Sequence, residues 1–408
     1  MKTTCTEVIP TKNDIAIFDI NTTYVNQEKT HILQQFCYLP RSDTFSTYFR
    51  RISQDNGNTW SIPKVIYEPK LTKEGTWRYT ESALLYDEDA DKVLFFYNYA
   101  LYKNEGYSED RDANLRIFYQ ISEDQGKTFS EPIQLIAEGY DPINWAPGVS
   151  YGKNCALVSF CAPTKIKGGI ILPVAVTPMK DSGDALGFSR AACFSGEWQN
   201  GKLKWTMSNV LKISPELSIR GLCEPTVAEL KDDRLLMVMR GSNPGGYGKV
   251  SAIPSRKWYA LSSDGGKNWS ALTESNTAEV KPWGYNNGEL FFSPASGSRL
   301  IRSSKNGVLY WIGNITSENP QGNLPRRPLV VAEVDESSGC IIKKSVRTVA
   351  DQSINQSEHI QFSNFRVYED FTSKEFVVVM PHIGASYKGG EYFDLTSPAY
   401  SHRFNPTE

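Results

Sequence analysis

A short pattern that reads Ser-x-Asp-x-Gly-x-x-aromatic occurs three times in the chain, at residues 53–60, 122–129 and 262–269. Its aspartate can accept hydrogen bonds from backbone N–H groups two residues on, and its glycine can adopt positive φ. Its aromatic residue can then pack at the start of the next strand. Each copy therefore predicts a hairpin turn between two β-strands.

The spacing of these turns predicts the architecture. Asp55, Asp124 and Asp264 lie 69 and 140 residues apart, and the second interval is close to twice the first. We interpret residues 193–205 as a degenerate copy inside the long interval, and residues 334–339 as another copy beyond the last clear one. A unit of about 70 residues, repeated roughly six times, is typical of radial repeat proteins. We predict an all-β, six-bladed β-propeller of four-stranded antiparallel blades, with the turns on the face opposite the site.

The chain is predicted to be a single domain over residues 1–408. Aromatic residues make up 12% of it, and 30 glycines and 22 prolines are spread along its length without a linker or low-complexity stretch. Short apolar runs between turn residues, such as 169–176 and 376–380, are typical of buried propeller strands. We also predict that residues 15–18 complete the last blade, so that the two ends of the chain pair.

Charge and composition exclude several function classes. The formal net charge is −2, with 44 basic and 46 acidic residues and no basic block, so neither nucleic acid nor a membrane is expected as a partner. The start of the chain lacks a signal-peptide core, which predicts a soluble protein that is cytoplasmic, or secreted or periplasmic if a signal peptide has been removed. Seven cysteines without CxxC spacing are expected to be mostly buried free thiols. Because the four histidines are scattered, neither a metal site nor a cofactor is predicted.

The repeated turn resembles the Asp-box, or BNR repeat, of sialidase-type β-propellers, and residues 220–240 carry a further resemblance to the sialidase (neuraminidase) superfamily. In sialidases, a glutamate opens one inner strand and an arginine closes the next, which matches Glu224 and Arg240. The resemblance implies that Glu224 is a buried site carboxylate and Arg240 one of three arginines that bind the carboxylate of an acidic sugar. The alternative is a structural ion pair at a strand end.

The same resemblance implies further site residues. Arg326 precedes the strand that leads into the late Asp-box and matches a second cluster arginine, with Arg327 as the alternative. Arg41 and Asp43 lie on the loop that, in sialidases, carries an arginine and the general-acid aspartate, although the family's Arg-Ile-Pro is absent here. A turn-capping role is the alternative for Asp43.

Two other carboxylates, Glu81 and Glu289, directly open apolar strands. A carboxyl group beside aromatic surface is expected to have a raised pKa, so either residue is a candidate proton donor. The alternative is a rim carboxylate, exposed to solvent or paired with Arg78. Four further residues in these regions are candidates for substrate binding, by an ionic contact or by stacking on a sugar: Arg78, Tyr79, Trp145 and Tyr285.

The sequence departs from the sialidase pattern at the position of the family's nucleophilic tyrosine. Residues 362–365 read Phe-Ser-Asn-Phe where the family has a motif of the type Tyr-Ser-Asp-Leu, and His382 ends the next strand where many sialidases have glutamate. Phe362 provides no nucleophile. Unless Tyr368 or another tyrosine is re-aimed, we predict direct attack by water with inversion, and Glu224 as the base.

Nearly the whole chain resembles a divergent bacterial group of sialidase-like Asp-box proteins, through the runs Cys-Glu-Pro-Thr, Pro-Trp-Gly-Tyr, Gly-Asn-Ile-Thr and Phe-Ser-Asn-Phe. The resemblance implies a glycoside hydrolase that needs no cofactor and releases a terminal acidic sugar, sialic acid or a related ulosonic or uronic acid, from a glycan partner. A propeller glycosidase for neutral sugars, similar to exo-arabinanases, and a non-catalytic glycan-binding propeller are the alternatives.

Overall fold

The computed structural model of the protein describes residues 1–11, 15–103, 114–179, 188–245, 251–270, 280–385 and 395–408. These residues form 29 β-strands and one short 3₁₀ helix, Lys343–Ser345. Over the same ranges, no helix is long and apolar enough to span a membrane.

The strands form six antiparallel sheets, which we number as blades I to VI. Blade I contains β2 (Ala16–Tyr24), β3 (Ile32–Leu39), β4 (Tyr48–Ser53) and β5 (Lys64–Tyr67). Blade II contains β6 (Lys70–Thr72), β7 (Gly75–Asp87), β8 (Lys92–Tyr102), β9 (Leu115–Ser122) and β10 (Ile133–Gln134). A small two-stranded sheet of β11 (Asn144–Ala146) and β12 (Val149–Ser150) follows. Blade III contains β13 (Ala156–Leu157), β14 (Thr164–Ile166), β15 (Gly169–Val176), β16 (Arg190–Gln199) and β17 (Lys202–Met207).

The second half of the chain forms the other three blades. Blade IV contains β18 (Cys223–Glu229), β19 (Leu235–Arg240), β20 (Lys257–Ser262) and β21 (Lys281–Pro282). Blade V contains β22 (Arg299–Arg302), β23 (Leu309–Asn314), β24 (Leu329–Asp335), β25 (Cys340–Ile341) and β26 (Arg347–Ala350). Blade VI contains β27 (Arg366–Glu369), β28 (Phe376–Pro381), β29 (Ala399–Phe404) and β1 (Thr3–Ile9). The predicted six-bladed, all-β propeller is confirmed.

Blade VI is closed by the two ends of the chain. β1 pairs antiparallel with β29, with Thr3 opposite Phe404, and forms the outer strand of the sheet. The expectation that residues 15–18 complete this blade is wrong, because residues 16–24 form the first strand of blade I instead. The ring is therefore closed by β1, which begins at Thr3, and not by residues 15–18.

Strands β2, β7, β18, β22 and β27 lie around the propeller axis. β2 contacts both β7 and β27, and β22 contacts both β18 and β27. Outside this ring, every residue of β15, β19, β23 and β28 is buried, because neighbouring blades cover both faces of these strands. Large aromatic residues fill the space between blades, as in the contact between the Trp283 and Trp311 rings, whose centroids are 5.3 Å apart.

Each of the three clear Asp-box turns joins the last two strands of its blade. Asp55 accepts hydrogen bonds from Ser53 Oγ at 2.8 Å, from the backbone N–H of Thr59 at 2.8 Å and from Thr59 Oγ1 at 2.6 Å. Asp124 and Asp264 make equivalent contacts. The backbone donor lies four residues after the aspartate rather than two, so the side chain spans the whole turn.

The Asp-box turns lie on the face opposite the strand ends that carry Arg240. In blade IV, Arg240 is paired with Lys257 at one end of β19 and β20, whereas Leu235 is paired with Ser262 at the other end. Ser262 begins the Asp-box. The predicted position of the turns, opposite the end that holds Glu224 and Arg240, is therefore confirmed.

Candidate active site

Three of the strands around the axis carry an acidic residue with positive φ at an irregular point of the β-ladder. Asp19 (φ 49°) in β2, Glu81 (φ 29°) in β7 and Glu224 (φ 48°) in β18 each lie within a register shift against the next strand of the blade. Positive φ is uncommon outside glycine, and a bulge of this kind re-aims a side chain. The fold thus sets three carboxylates on the strands that surround the axis.

Glu224 and Arg240 form an ion pair in blade IV. Cys223 is paired with Arg240 across β18 and β19, which brings the neighbouring Glu224 beside the guanidinium. Nη1 of Arg240 donates to Oε1 of Glu224 at 2.5 Å, and the two side chains are only 9% and 12% exposed. The other carboxylate oxygen, Oε2, is buried and has no hydrogen-bond partner among the described residues. Because buried oxygens normally accept a hydrogen bond, an ion pair with a purely structural role does not explain why Oε2 has no partner there.

Three cations act on the carboxylate of Glu224. Burial alone would raise its pKa, but Arg240, Arg326 and Lys257 outweigh burial and lower it. Burial would likewise lower the pKa of Arg240, but Glu224 outweighs that effect and raises it. Glu224 is therefore ionised at neutral pH in a site with more basic than acidic groups.

Lys257 is a site residue that the sequence analysis missed. It is fully buried at the first position of β20, and its Nζ donates to the backbone carbonyl of Ser296. Burial lowers the pKa of Lys257 to about 7; Glu224 opposes this shift, and the nearby arginines add to it. A lysine that opens an ordinary apolar strand gives no signal of this environment in the sequence.

The loop before β24 brings a second guanidinium to the site. Nη2 of Arg240 donates to Oδ1 of Asn323 at 3.5 Å, while Arg326 donates from Nη2 to the carbonyl of Ala295 at 2.7 Å and from Nη1 to Oε1 of Gln361 at 3.5 Å. Burial lowers the pKa of Arg326 to about 10, and Arg240 adds to the shift. Two of these contacts are at the limit of hydrogen-bond distance, so both arginines keep donors available for an anion.

A small cleft opens beside Arg240. It is lined by Arg220, Gly221, Cys223, Arg240, Gly241 and Ser242. Burial lowers the pKa of Arg326 most, Arg240 adds to the shift, and the exposed Arg220 adds a smaller part. A third arginine therefore acts on the site formed by Glu224, Arg240 and Arg326. Arg220 opens the segment that carries the sialidase resemblance, but the resemblance assigns it no role.

Asp43 lies on the exposed loop between β3 and β4, and blade II holds this loop in place. Nη1 of Arg78 donates to the carbonyl of Phe45 at 2.8 Å, and the hydroxyl of Tyr102 donates to the carbonyl of Asp43 at 2.8 Å. These contacts give Arg78 a role in holding the loop. Its predicted contact with substrate stays a prediction.

The Asp43 carboxylate acts on the arginine site. It adds to the effect of Glu224 in raising the pKa of Arg240. Arg41 is exposed on the same loop, and its backbone forms a bridge with Thr44. Its assignment as a cluster arginine stays a prediction.

Glu289 lies beside the outer strand of blade V. Tyr285, in the same turn, forms a backbone bridge with Ile341 in β25, the outermost strand of that blade. A hydrogen bond from Lys343 and a second from Asn287 lower the pKa of the exposed Glu289. The expectation of a raised pKa is therefore wrong, and this outer position also separates Tyr285 from the strands around the axis.

Glu81, in contrast, belongs to the strands around the axis. It is partly buried in β7, and it adds to the effect of burial in raising the pKa of both Tyr48 and Cys161. Its candidacy as a proton donor stays a prediction.

Two predicted sugar-stacking residues have no ring face available for a ligand. Trp145 is fully buried and stacks on Phe194, with ring centroids 6.0 Å apart. Tyr79 is stacked with Tyr67 at 3.7 Å and with Tyr97 at 4.0 Å, so both faces of its ring are covered. The expectation is wrong for both residues, because these rings form part of the packing within and between blades.

A second buried ion pair, which the sequence analysis also missed, connects three blades near the axis. Nη2 of Arg366 donates to Oδ1 of Asp19 at 2.6 Å, and these side chains are only 7% and 1% exposed. The amide and hydroxyl of Ser82 both donate to Oδ2 of Asp19 at 2.6 Å. The available signal was a single carboxylate inside the apolar run 15–20.

Phe362 occupies the position that the resemblance gives to a tyrosine nucleophile, and it is buried. Tyr368, the candidate replacement, lies in β27 against Tyr24, with ring centroids 6.3 Å apart. In the described part of the chain, Arg240 is the one hydrogen-bond partner of the Glu224 carboxylate, so no tyrosine hydroxyl there contacts it.

A six-bladed β-propeller with Asp-box turns on one face, and with a buried glutamate among basic side chains at the other, has the architecture of the sialidase-like proteins. The chain belongs to the family of BNR repeat-like domains, whose profile matches residues 41–363. Among curated protein sequences, none matches it significantly.

Several solved structures share the fold. A protein of unknown function from Dyadobacter fermentans is 13% identical, with a TM-score of 0.62 and 98% of each chain covered. Trypanosoma rangeli sialidase in complex with sialic acid is 12% identical, with a TM-score of 0.63, 98% of this chain covered and 58% of the sialidase covered. The intramolecular trans-sialidase of Ruminococcus gnavus is 11% identical, with a TM-score of 0.61 and 94% of each chain covered. At these identities, the likeness shows the fold.

Proposed function

We propose that the protein is a glycoside hydrolase that removes a terminal, carboxylate-bearing sugar from a glycan. The observation that carries the proposal is that Oε2 of Glu224 is buried near Arg240, Arg326 and Lys257 and has no hydrogen-bond partner among the described residues. The weakly engaged donors of Arg240 and Arg326 suit a carboxylate, since guanidinium groups bind carboxylates through paired hydrogen bonds. Arg220 is the exposed third arginine of this cluster.

The reaction in this proposal is a single displacement. Glu224 accepts a proton from water while the water oxygen bonds to the anomeric carbon and the glycosidic C–O bond breaks, and Asp43 is the proposed donor of a proton to the departing oxygen. Binding of the substrate carboxylate partly neutralises Arg240 and Arg326. Because these cations lower the pKa of Glu224, their neutralisation makes Glu224 a stronger base at the moment it is needed.

The proposed ligand charge is tested by Arg326→Lys. The substitution keeps the positive charge but removes the planar donor pair, so we expect KM for a carboxylated glycoside to rise at least tenfold, because a desolvated charged contact is worth about 2–5 kcal/mol. KM for the matched neutral glycoside should change little. The matched control is Arg234→Lys, since Arg234 pairs with Asp232 in an exposed turn on the Asp-box face. Equal effects on the two substrates would contradict carboxylate recognition. If the wild type hydrolysed no glycoside, the alternative of a non-catalytic glycan-binding propeller would be favoured.

The stereochemistry of the product tests the mechanism. We expect inversion, because Phe362 has no hydroxyl and no described tyrosine contacts Glu224. Proton NMR during the first turnovers identifies the first-formed anomer. Tyr368→Phe is the control and should leave both rate and stereochemistry unchanged. Retention of configuration, or a covalent tyrosyl adduct with a fluorinated substrate, would overturn the single displacement.

A further inference from the structure

Closure of the ring brings Cys5, near the start of the sequence, to two histidines near its end. Cys5 in β1 is directly opposite His402 in β29, and His382 follows the last residue of β28. Cys5 Sγ lies 3.6 Å from His402 Nε2, and the Nε2 atoms of His402 and His382 lie 2.9 Å apart. All three ligand atoms are within 4.8 Å of one another.

These separations are close to those of ligands that share one metal ion. Zinc–nitrogen and zinc–sulfur bonds of about 2.0–2.1 Å and 2.3 Å place neighbouring ligand atoms roughly 3.3–3.6 Å apart at tetrahedral angles. The sulfur–nitrogen separation of 3.6 Å is at the upper end of this range, and the nitrogen–nitrogen separation of 2.9 Å is a few tenths of an ångström below it, so a shift of that size is sufficient for these two contacts. Each donor also comes from a different segment of blade VI, which a metal would tie together.

We propose that Cys5, His382 and His402 bind a single Zn²⁺ ion, with a fourth position open to water. One thiolate and two imidazoles form a ligand set that suits zinc and related transition metals, whereas calcium and magnesium prefer oxygen ligands. Both histidines are buried and Cys5 is exposed at the outer strand, so the ion enters from the edge of the blade.

The site couples metal binding to closure of the propeller. β1 is held to the ring through its pairing with β29, and a bond from Cys5 to the metal would add a cross-link at the centre of that pairing. Within the described residues, Nδ1 of His402 is buried without a hydrogen-bond partner. Because an acceptor that holds the other ring nitrogen of a metal-bound histidine typically adds roughly 10–100-fold to metal affinity, we expect weaker binding than at structural zinc sites that have such acceptors.

Cobalt titration of the full-length, metal-free protein tests this site. We expect one Co²⁺ per chain, with the near-ultraviolet charge-transfer absorption of a cobalt–thiolate bond, and displacement of Co²⁺ by added Zn²⁺. Cys5→Ser should abolish the charge-transfer band and weaken binding at least tenfold, and His402→Gln should weaken it similarly. Cys5 lies on an exposed strand, so its variant is expected to fold even if the His402 variant does not.

Cys340→Ser is the matched control, because Cys340 is a partly exposed free thiol in blade V. It should bind cobalt as the wild type does. Zn²⁺ should also raise the Tm of the wild type and of Cys340→Ser but not of Cys5→Ser, because a ligand that binds the folded state stabilises it. A wild type without the charge-transfer band, or an unchanged band in Cys5→Ser, would overturn the proposal.

Discussion

Glu224→Gln is expected to lower kcat for an acidic glycoside by roughly 10²–10⁴-fold, the usual contribution of a general base. Glutamine keeps the shape of the side chain and can still accept the hydrogen bond that Arg240 donates to Oε1. It cannot take a proton from water at Oε2, the oxygen that has no partner in the described structure. Binding of the acidic sugar, measured by calorimetry, should persist, because the arginines that bind its carboxylate are still present.

Glu289→Gln provides the matched control. Glu289 is an exposed carboxylate beside the outer strand of blade V, where Lys343 contacts it. We expect wild-type kcat and KM for this variant. Wild-type turnover in Glu224→Gln would move the chemistry to another residue. Loss of turnover and of ligand binding together with a lower Tm would instead assign Glu224 a structural role.

The fold could be predicted because its strongest signal is local. The Asp-box hydrogen bonds span four residues or fewer, so the sequence pattern alone determines the turn, and the spacing of the turns gives the number of blades. Glu224 and Arg240 are similarly close, 16 residues apart on adjacent strands. A resemblance confined to one hairpin was therefore sufficient to find them.

Two other contacts could not be predicted because ring closure creates them. Asp19 and Arg366 are 347 residues apart, and Cys5 and His402 are 397 residues apart. Glu289 shows the converse problem: its aromatic neighbours in sequence suggested burial, whereas Lys343, 54 residues later, determines its environment. Sequence neighbours predict strands well, but the pKa of a side chain depends on its neighbours in space.

Asp19→Ala is expected to lower the free energy of unfolding by about 3–5 kcal/mol, the usual cost of removing one partner of a buried ion pair. The variant leaves Arg366 buried without its anion. Arg366 and Arg299 both lie against the ring of Phe160, with their guanidinium carbons 4.2 Å and 4.7 Å from its centroid. Burial lowers the pKa of Arg299 to about 9. Two close positive charges would then lack the carboxylate that offsets them.

Urea unfolding of three variants checks this expectation. Asp232→Ala removes an exposed carboxylate from the partly buried Arg234 and should stay within about 1 kcal/mol of the wild type. The double variant Asp19→Leu with Arg366→Met should be more stable than Asp19→Ala, because apolar side chains leave no unpaired charge behind. If Asp19→Ala were as stable as Asp232→Ala, the buried pair would not hold the three blades together. If the double variant were the least stable of the three, the hydrogen bonds from Ser82, rather than the charge of Arg366, would account for the role of Asp19.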